Sequence, residues 1–122
     1  MEREGIILTF EYILLQFFIW KGVKNMGKKE SEFQSNLIDE LKERFPGCIV
    51  VKTDAGFIQG IPDLIILFND KWAMLECKKS KDAKHRPNQD YYVNLLNKLS
   101  FSAFIYPENK ESILDGMEKA LY

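Results

Sequence analysis

From Phe33 onward the chain switches between a helical and a strand-like hydrophobic period. Phe33, Leu37, Ile38, Leu41 and Phe45 recur at helical spacing, which gives one apolar stripe on an otherwise polar helix. Ser31, with Gln34 three residues on, reads as a capping box at its start, and Pro46-Gly47 ends it. Three short runs rich in strand formers follow: 48–52 (CIVVK), 62–69 (PDLIILFN) and 71–77 (KWAMLEC). Thr53 to Ile61 is a loop carrying Gly56 and Gly60, and Asn69-Asp70 predicts a tight hairpin between the second and third runs. Pro87 suits the first turn of a second helix with Tyr92, Leu95, Leu96 and Leu99 on one stripe. A fourth strand is expected over 101–106 (FSAFIY), and a closing helix over 109–121 after Pro107. The predicted fold is α/β, in the order α-β-β-β-α-β-α, with a mixed four-stranded sheet flanked by helices.

The segment before this pattern is of another kind. Residues 5–20 (GIILTFEYILLQFFIW) are the most apolar stretch, interrupted by Glu11 and Gln16. A spanning helix needs about 20 mostly apolar residues, so no membrane span is expected. A basic start and a small-residue cleavage site are also missing. A helix packed on the core, a peripheral anchor and a leader outside the natural protein remain as readings, and the leader is preferred. Met26 opens a chain that looks self-sufficient. Codons for Lys21-Gly22-Val23 can also spell a purine-rich ribosome-binding site ahead of a bacterial or phage start codon. The expected division is a hydrophobic leader over 1–25 and one domain over 26–122.

Composition then narrows the function classes. The 122 residues hold 17 Lys+Arg and 18 Asp+Glu, for a net charge of −1, so overall charge draws the chain to neither nucleic acid nor acidic membrane. Any such binding must come from a local cluster. Two cysteines form neither a zinc set nor a disulfide framework. Cys77, between Glu76 and Lys78, reads as a reduced thiol inside a strand of a cytoplasmic protein, and Cys48 as a core residue.

The chemistry gathers at the hairpin. Partners in a hairpin sit at equal distances from the turn, so Asp63 is expected opposite roughly Glu76. Period two puts Glu76 and Lys78 on one face of their strand. Two carboxylates and an ammonium therefore converge at the hairpin's open end. Carboxylates at the ends of apolar strands are costly unless paired or metal-bound, and a pair of oxygen ligands with room for water suits Mg²⁺, with Mn²⁺ as substitute. Lys78 would orient the attacking water or neutralise charge on a phosphate.

Gly60-Ile61-Pro62-Asp63 followed by Glu76-Cys77-Lys78 on the next strand resembles the PD-(D/E)XK nuclease superfamily. The close spacing and the Gly-x-Pro-Asp form resemble most its VRR-NUC group of small, often phage-encoded nucleases, relatives of Holliday-junction resolvases. The resemblance spans about residues 30–105. It implies a restriction-endonuclease-like fold and a divalent metal held by Asp63, Glu76 and the backbone carbonyl of Cys77. It further implies Lys78 near the attacking water and phosphodiester hydrolysis in DNA.

Related enzymes often carry a glutamate on the first helix, pointing at the metal. Here Gln34 lies on the apolar face, Glu32 points to solvent, and Glu30 falls outside the helix if Ser31 is the cap. Gln34 is the first choice and Glu30 the second, and a neutral amide leaves one metal or two open. Gln89 shares the buried stripe of the second helix, and Pro87-Asn88-Gln89 matches the placement of a glutamine beside the site in VRR-NUC-like proteins.

The run Lys78, Lys79, Lys81, Lys84 and Arg86 leaves the active strand directly and is opposed only by Asp82. Beside a hydrolytic site, Lys79, Lys81, Lys84 and Arg86 can hold phosphates, with Lys52 on the other side of the cleft. His85 lies in this stretch with nothing to pair it to a nucleophile, and is set aside. The expectation is a Mg²⁺-dependent DNA endonuclease with catalytic residues Asp63, Glu76, Lys78, Gln34 and Gln89. By resemblance it selects branched DNA such as a Holliday junction. A domain of about a hundred residues offers a small footprint, so a homodimer is expected. The competing expectation is a non-catalytic nuclease-fold module that binds DNA or a protein, against which the intact Asp63, Glu76 and Lys78 argue.

Overall fold

The computed structural model describes residues 27–122; the leader expected over 1–25 and the start expected at Met26 lie outside the described residues. Helix α1 spans Lys28–Arg44. Strands β1 (Ile49–Lys52), β2 (Leu64–Phe68) and β3 (Lys71–Cys77) follow, then α2 (Gln89–Leu99), β4 (Phe101–Ile105) and α3 (Lys110–Leu121). The sheet order is β1-β2-β3-β4. The first two pairings are antiparallel, and β3 runs parallel to β4. A parallel pair needs a crossover, which α2 supplies. The described residues are thus an α/β arrangement of three helices and a mixed four-stranded sheet.

Alternation along the strands assigns the two faces. Leu64, Ile66 and Phe68 of β2 and Ala73, Leu75 and Cys77 of β3 point to one side. There they form the core with Leu37 and Leu41 of α1, Phe45 just past its end, and Leu114, Met117 and Leu121 of α3. Each Leu, Ile, Phe or Met among them contributes roughly 1.5–3 kcal/mol by leaving water. The opposite face carries Met74 and Glu76 of β3 and Phe104 of β4 under α2, which packs on β3 and β4. The β1–β2 half of that face leaves Ile49, Val51 and Leu67 exposed.

Four local expectations are corrected. Helix α1 starts three residues before Ser31, with Gly27 as its N-cap and no side-chain cap, because Ser31 N–H already bonds Gly27 O at 3.0 Å as the first helical turn. Glu30 is therefore inside the helix, in the turn where the dipole favours an acid. Pro87 precedes α2 rather than opening it, since Asn88 takes φ 69° as the N-cap. Gln89 is buried as expected, but Leu95 and Leu99 are exposed and Val93 is buried instead, so the inward stripe of α2 is rotated from the expected one. Strand β2 begins at Leu64 rather than Pro62, because proline has no N–H for the ladder.

The hairpin sets the site. Asn69 adopts φ 55°, which asparagine tolerates, and the turn pairs Phe68 with Lys71 and Leu64 with Leu75. One step further, that register places Asp63 opposite Glu76. On its other side Asp63 O accepts Thr53 N–H at 2.9 Å, continuing the β1–β2 ladder.

Candidate active site

Asp63 closes the open end of the hairpin from both sides. Its Oδ2 accepts the Cys77 N–H at 2.9 Å, while its carboxyl hydrogen-bonds that of Glu76. Glu76 is 3 % exposed, and its Oε1 has no hydrogen-bond partner. Burial first, then the hydrogen bond and charge of Asp63, push the Glu76 carboxyl up to about 10. The metal-free pair therefore carries one shared proton at neutral pH, since two adjacent carboxylates in a buried place do not both ionise.

Lys78 lies on the same face at 5 % exposure. Its Nζ donates to Gln89 Oε1 at 2.8 Å and to Lys84 O at 3.2 Å. Gln89 Oε1 also accepts Arg86 N–H at 2.8 Å. A glutamine carbonyl has two lone pairs, so one atom fixes both the ammonium and the loop leading into α2. The loop before Asp63 is tied to that same place. Gly60 has φ +90°, and a Cβ there would sit 2.6 Å from Asn88 Cβ.

The two residues weighed on the first helix separate in space. Gln34 is buried and bonds the Cys77 thiol on the core face of the sheet, across the strand from the Glu76 carboxyl. Glu30, one turn earlier and half-buried, lies in the field of Asp63, Lys78, Arg86 and Lys79. Burial first, then Asp63, raises its pKa. The structure brings Glu30, rather than Gln34, toward the carboxylate pair. Burial also holds the Cys77 thiol well above its ordinary pKa, so its sulfur is no thiolate ligand and only its backbone carbonyl remains a candidate. Lys52 is half-buried and feels Asp63 and Cys77, with burial lowering its pKa. Lys79, Lys81, Lys84 and Arg86 are exposed on the opposite rim.

His85 has two side-chain partners that its loop position does not announce. Its Nδ1 lies 2.8 Å from Asp90 Oδ1, and its ring stacks on Phe104 with centroids 3.9 Å apart and planes at 13°. The only sequence signal was an aspartate in the first turn of the following helix.

Among the described residues no group of three or more His, Cys, Asp and Glu side chains is placed to hold a metal ion. The side chains offer two carboxylates. The unpartnered, buried Glu76 Oε1 beside Asp63 fits a small oxygen-seeking cation that keeps several waters, and such an ion would take the place of the shared proton. No family model, curated protein or solved structure matches the chain.

Proposed function

We propose that the chain is a divalent-metal-dependent DNA endonuclease of restriction-endonuclease-like fold, hydrolysing phosphodiester bonds. The observation that carries this reading is the half-buried Asp63 beside the buried Glu76, with one Glu76 oxygen unsatisfied, two residues before a buried and doubly held Lys78. The resemblance of Gly60-Ile61-Pro62-Asp63 and Glu76-Cys77-Lys78 to the VRR-NUC motif supports it, as does the mixed sheet that presents both on one hairpin.

Asp63 and Glu76 would hold Mg²⁺ or Mn²⁺, with the Cys77 carbonyl as a third oxygen. The ion, when bound, supplies Lewis-acid stabilisation of charge on the reacting phosphate. Lys78 orients the attacking water and offsets the growing negative charge, and burial makes that ammonium more effective than one in water. Gln89 and the Lys84 carbonyl keep it aimed. Lys79, Lys81, Lys84 and Arg86 on one rim and Lys52 near the other contact the DNA backbone. Branched DNA is the proposed substrate and the cytoplasm of a bacterial host, for a bacterial or phage gene, the proposed setting. The exposed Ile49, Val51 and Leu67 on the uncovered half-face support a homodimer.

A closed circular plasmid tests the reading. Incubated with the protein and Mg²⁺ or Mn²⁺, it should be nicked or linearised, and chelator should stop this. A plasmid that is bound but stays closed under every metal would instead mark a non-catalytic DNA-binding module.

A further inference from the structure

His85 is the one histidine of the chain, and the mechanism above leaves it unused. Yet both of its neighbours are tied to the Lys78 ammonium. The Lys84 carbonyl accepts directly from Lys78 Nζ at 3.2 Å, and Arg86 N–H shares the Gln89 oxygen with it. The imidazole lies flat on Phe104, the register partner of Glu76 on the adjacent strand. Neighbouring strands run about 4.8 Å apart with partners on one face, so the ring lies over β4, one strand from Glu76 and two from Asp63. Asp90 Oδ1, as a carboxylate, only accepts. Nδ1 therefore carries the proton, and Nε2 is the remaining polar atom of the ring. The side chain is 38 % exposed, so Nε2 is open to a ligand from solvent. The charged groups beside the ring are Asp90 on α2 and Lys84 and Arg86 on its own loop; Glu76 on β3 is the register partner of Phe104, and Lys78 follows just past the end of that strand.

Phosphodiester hydrolysis moves two protons: the attacking water loses one, and the departing ester oxygen gains one. Lys78 serves the first side of the reaction, and nothing assigned so far serves the second. Resting on the nuclease reading, we propose that His85, oriented by Asp90, is the general acid that protonates the departing oxygen. The water oxygen bonds to phosphorus as the phosphorus–ester oxygen bond breaks. The electron pair of that bond stays on the ester oxygen, which takes the Nε2 proton of the imidazolium. The proton of the attacking water passes to solvent, and solvent restores the one on Nε2. Asp90 keeps Nδ1–H in place throughout.

Two readouts test this. A lone histidine gives one set of imidazole resonances in the untagged full chain. With chelator present, adding a short DNA duplex should shift those of Nε2 while Nδ1 stays protonated; imidazole resonances that ignore the DNA would overturn the proposal. The second readout uses a substrate whose departing ester oxygen is replaced by sulfur, a leaving group that needs no proton. In Mn²⁺, His85→Ala should cut ordinary DNA about 10²-fold more slowly than wild type, but the sulfur substrate within about threefold of it. Asp90→Asn, which keeps the ring and its stacking, should show the same selective loss in smaller measure. Equal impairment on both substrates would make His85 a structural residue and leave the nuclease reading standing. A wild-type chain that cuts neither substrate would remove that reading, and this proposal with it.

Discussion

Asp63 and Glu76 meet across the open end of the β2–β3 hairpin, and Asp63 at the same time caps the Cys77 N–H at 2.9 Å. A carboxylate that bonds the backbone of its neighbour's strand cannot move away from that neighbour's charge. The repulsion is relieved by a proton or by a cation.

That conflict makes stability depend on pH. The folded Glu76 carboxyl, at about 10, lies above its ordinary 4.5, so the folded chain holds the proton more tightly than the unfolded one. This stabilisation is complete below about pH 4.5 and is lost as pH rises toward 10. Glu30, raised for the same leading reason, adds a loss of the same sign. In chelator the Tm should fall between about pH 6 and 9. Glu76→Gln, which imitates the protonated form, should flatten the fall.

The same proton should be displaced by metal. Calorimetric titration with Mn²⁺ near neutral pH, in buffers of different ionisation enthalpy, should show about one proton released per ion bound. Binding should tighten as pH rises. Asp63→Ala and Glu76→Gln should each abolish it, and a heat unchanged in those variants would place the ion elsewhere.

Gln89 is predicted to act through Lys78. Gln89→Leu removes the acceptor of both the Lys78 ammonium and the Arg86 N–H. A hydrogen bond to a charged group is worth about 1.5–3 kcal/mol, and urea denaturation should show a loss of that order. Cleavage should fall through kcat, with substrate KM nearly unchanged. Lys78→Met should remove activity by about 10²-fold or more.

Gly60 joins the loop before Asp63 to the start of α2. Gly60→Ala places a Cβ 2.6 Å from Asn88 Cβ at φ +90°, and strain of this kind costs about 1–3 kcal/mol. The expected result is a lower Tm together with weaker Mn²⁺ binding, because Asp63 and Gln89 lie at the two ends of that contact.

Association is testable separately. If a second copy covers the uncovered half-face, the chain should sediment at twice its 14.3 kDa. Val51→Asp combined with Leu67→Asp should return it to the monomer mass without altering the far-ultraviolet dichroism.

The sequence carried the hairpin well because a two-residue turn fixes its register arithmetically. Once Asn69-Asp70 is the turn, Asp63 must face Glu76. Helix phase was legible for α1, where Phe33, Leu37, Ile38 and Leu41 leave one choice. It was not for α2, where Tyr92, Leu95, Leu96 and Leu99 compete with Val93 and only packing on β4 decides. Ser31 has the chemistry of a cap, yet the lysines and glutamate before it also form helix, so α1 starts a turn earlier than its cap pattern suggests. That one turn decided whether Glu30 could approach Asp63. His85 was illegible because its partners Asp90 and Phe104 come from a helix and a strand whose meeting is a tertiary event.

The most direct measurement is cleavage of labelled four-way junction, flap, duplex and single-stranded DNA by the chain and by its Asp63→Ala and Lys78→Ala variants, with Mg²⁺, Mn²⁺ or chelator. The account predicts metal-dependent cutting by the unaltered chain, strongest on branched DNA, and none by either variant. Binding without cutting, equal in all three proteins, would contradict it.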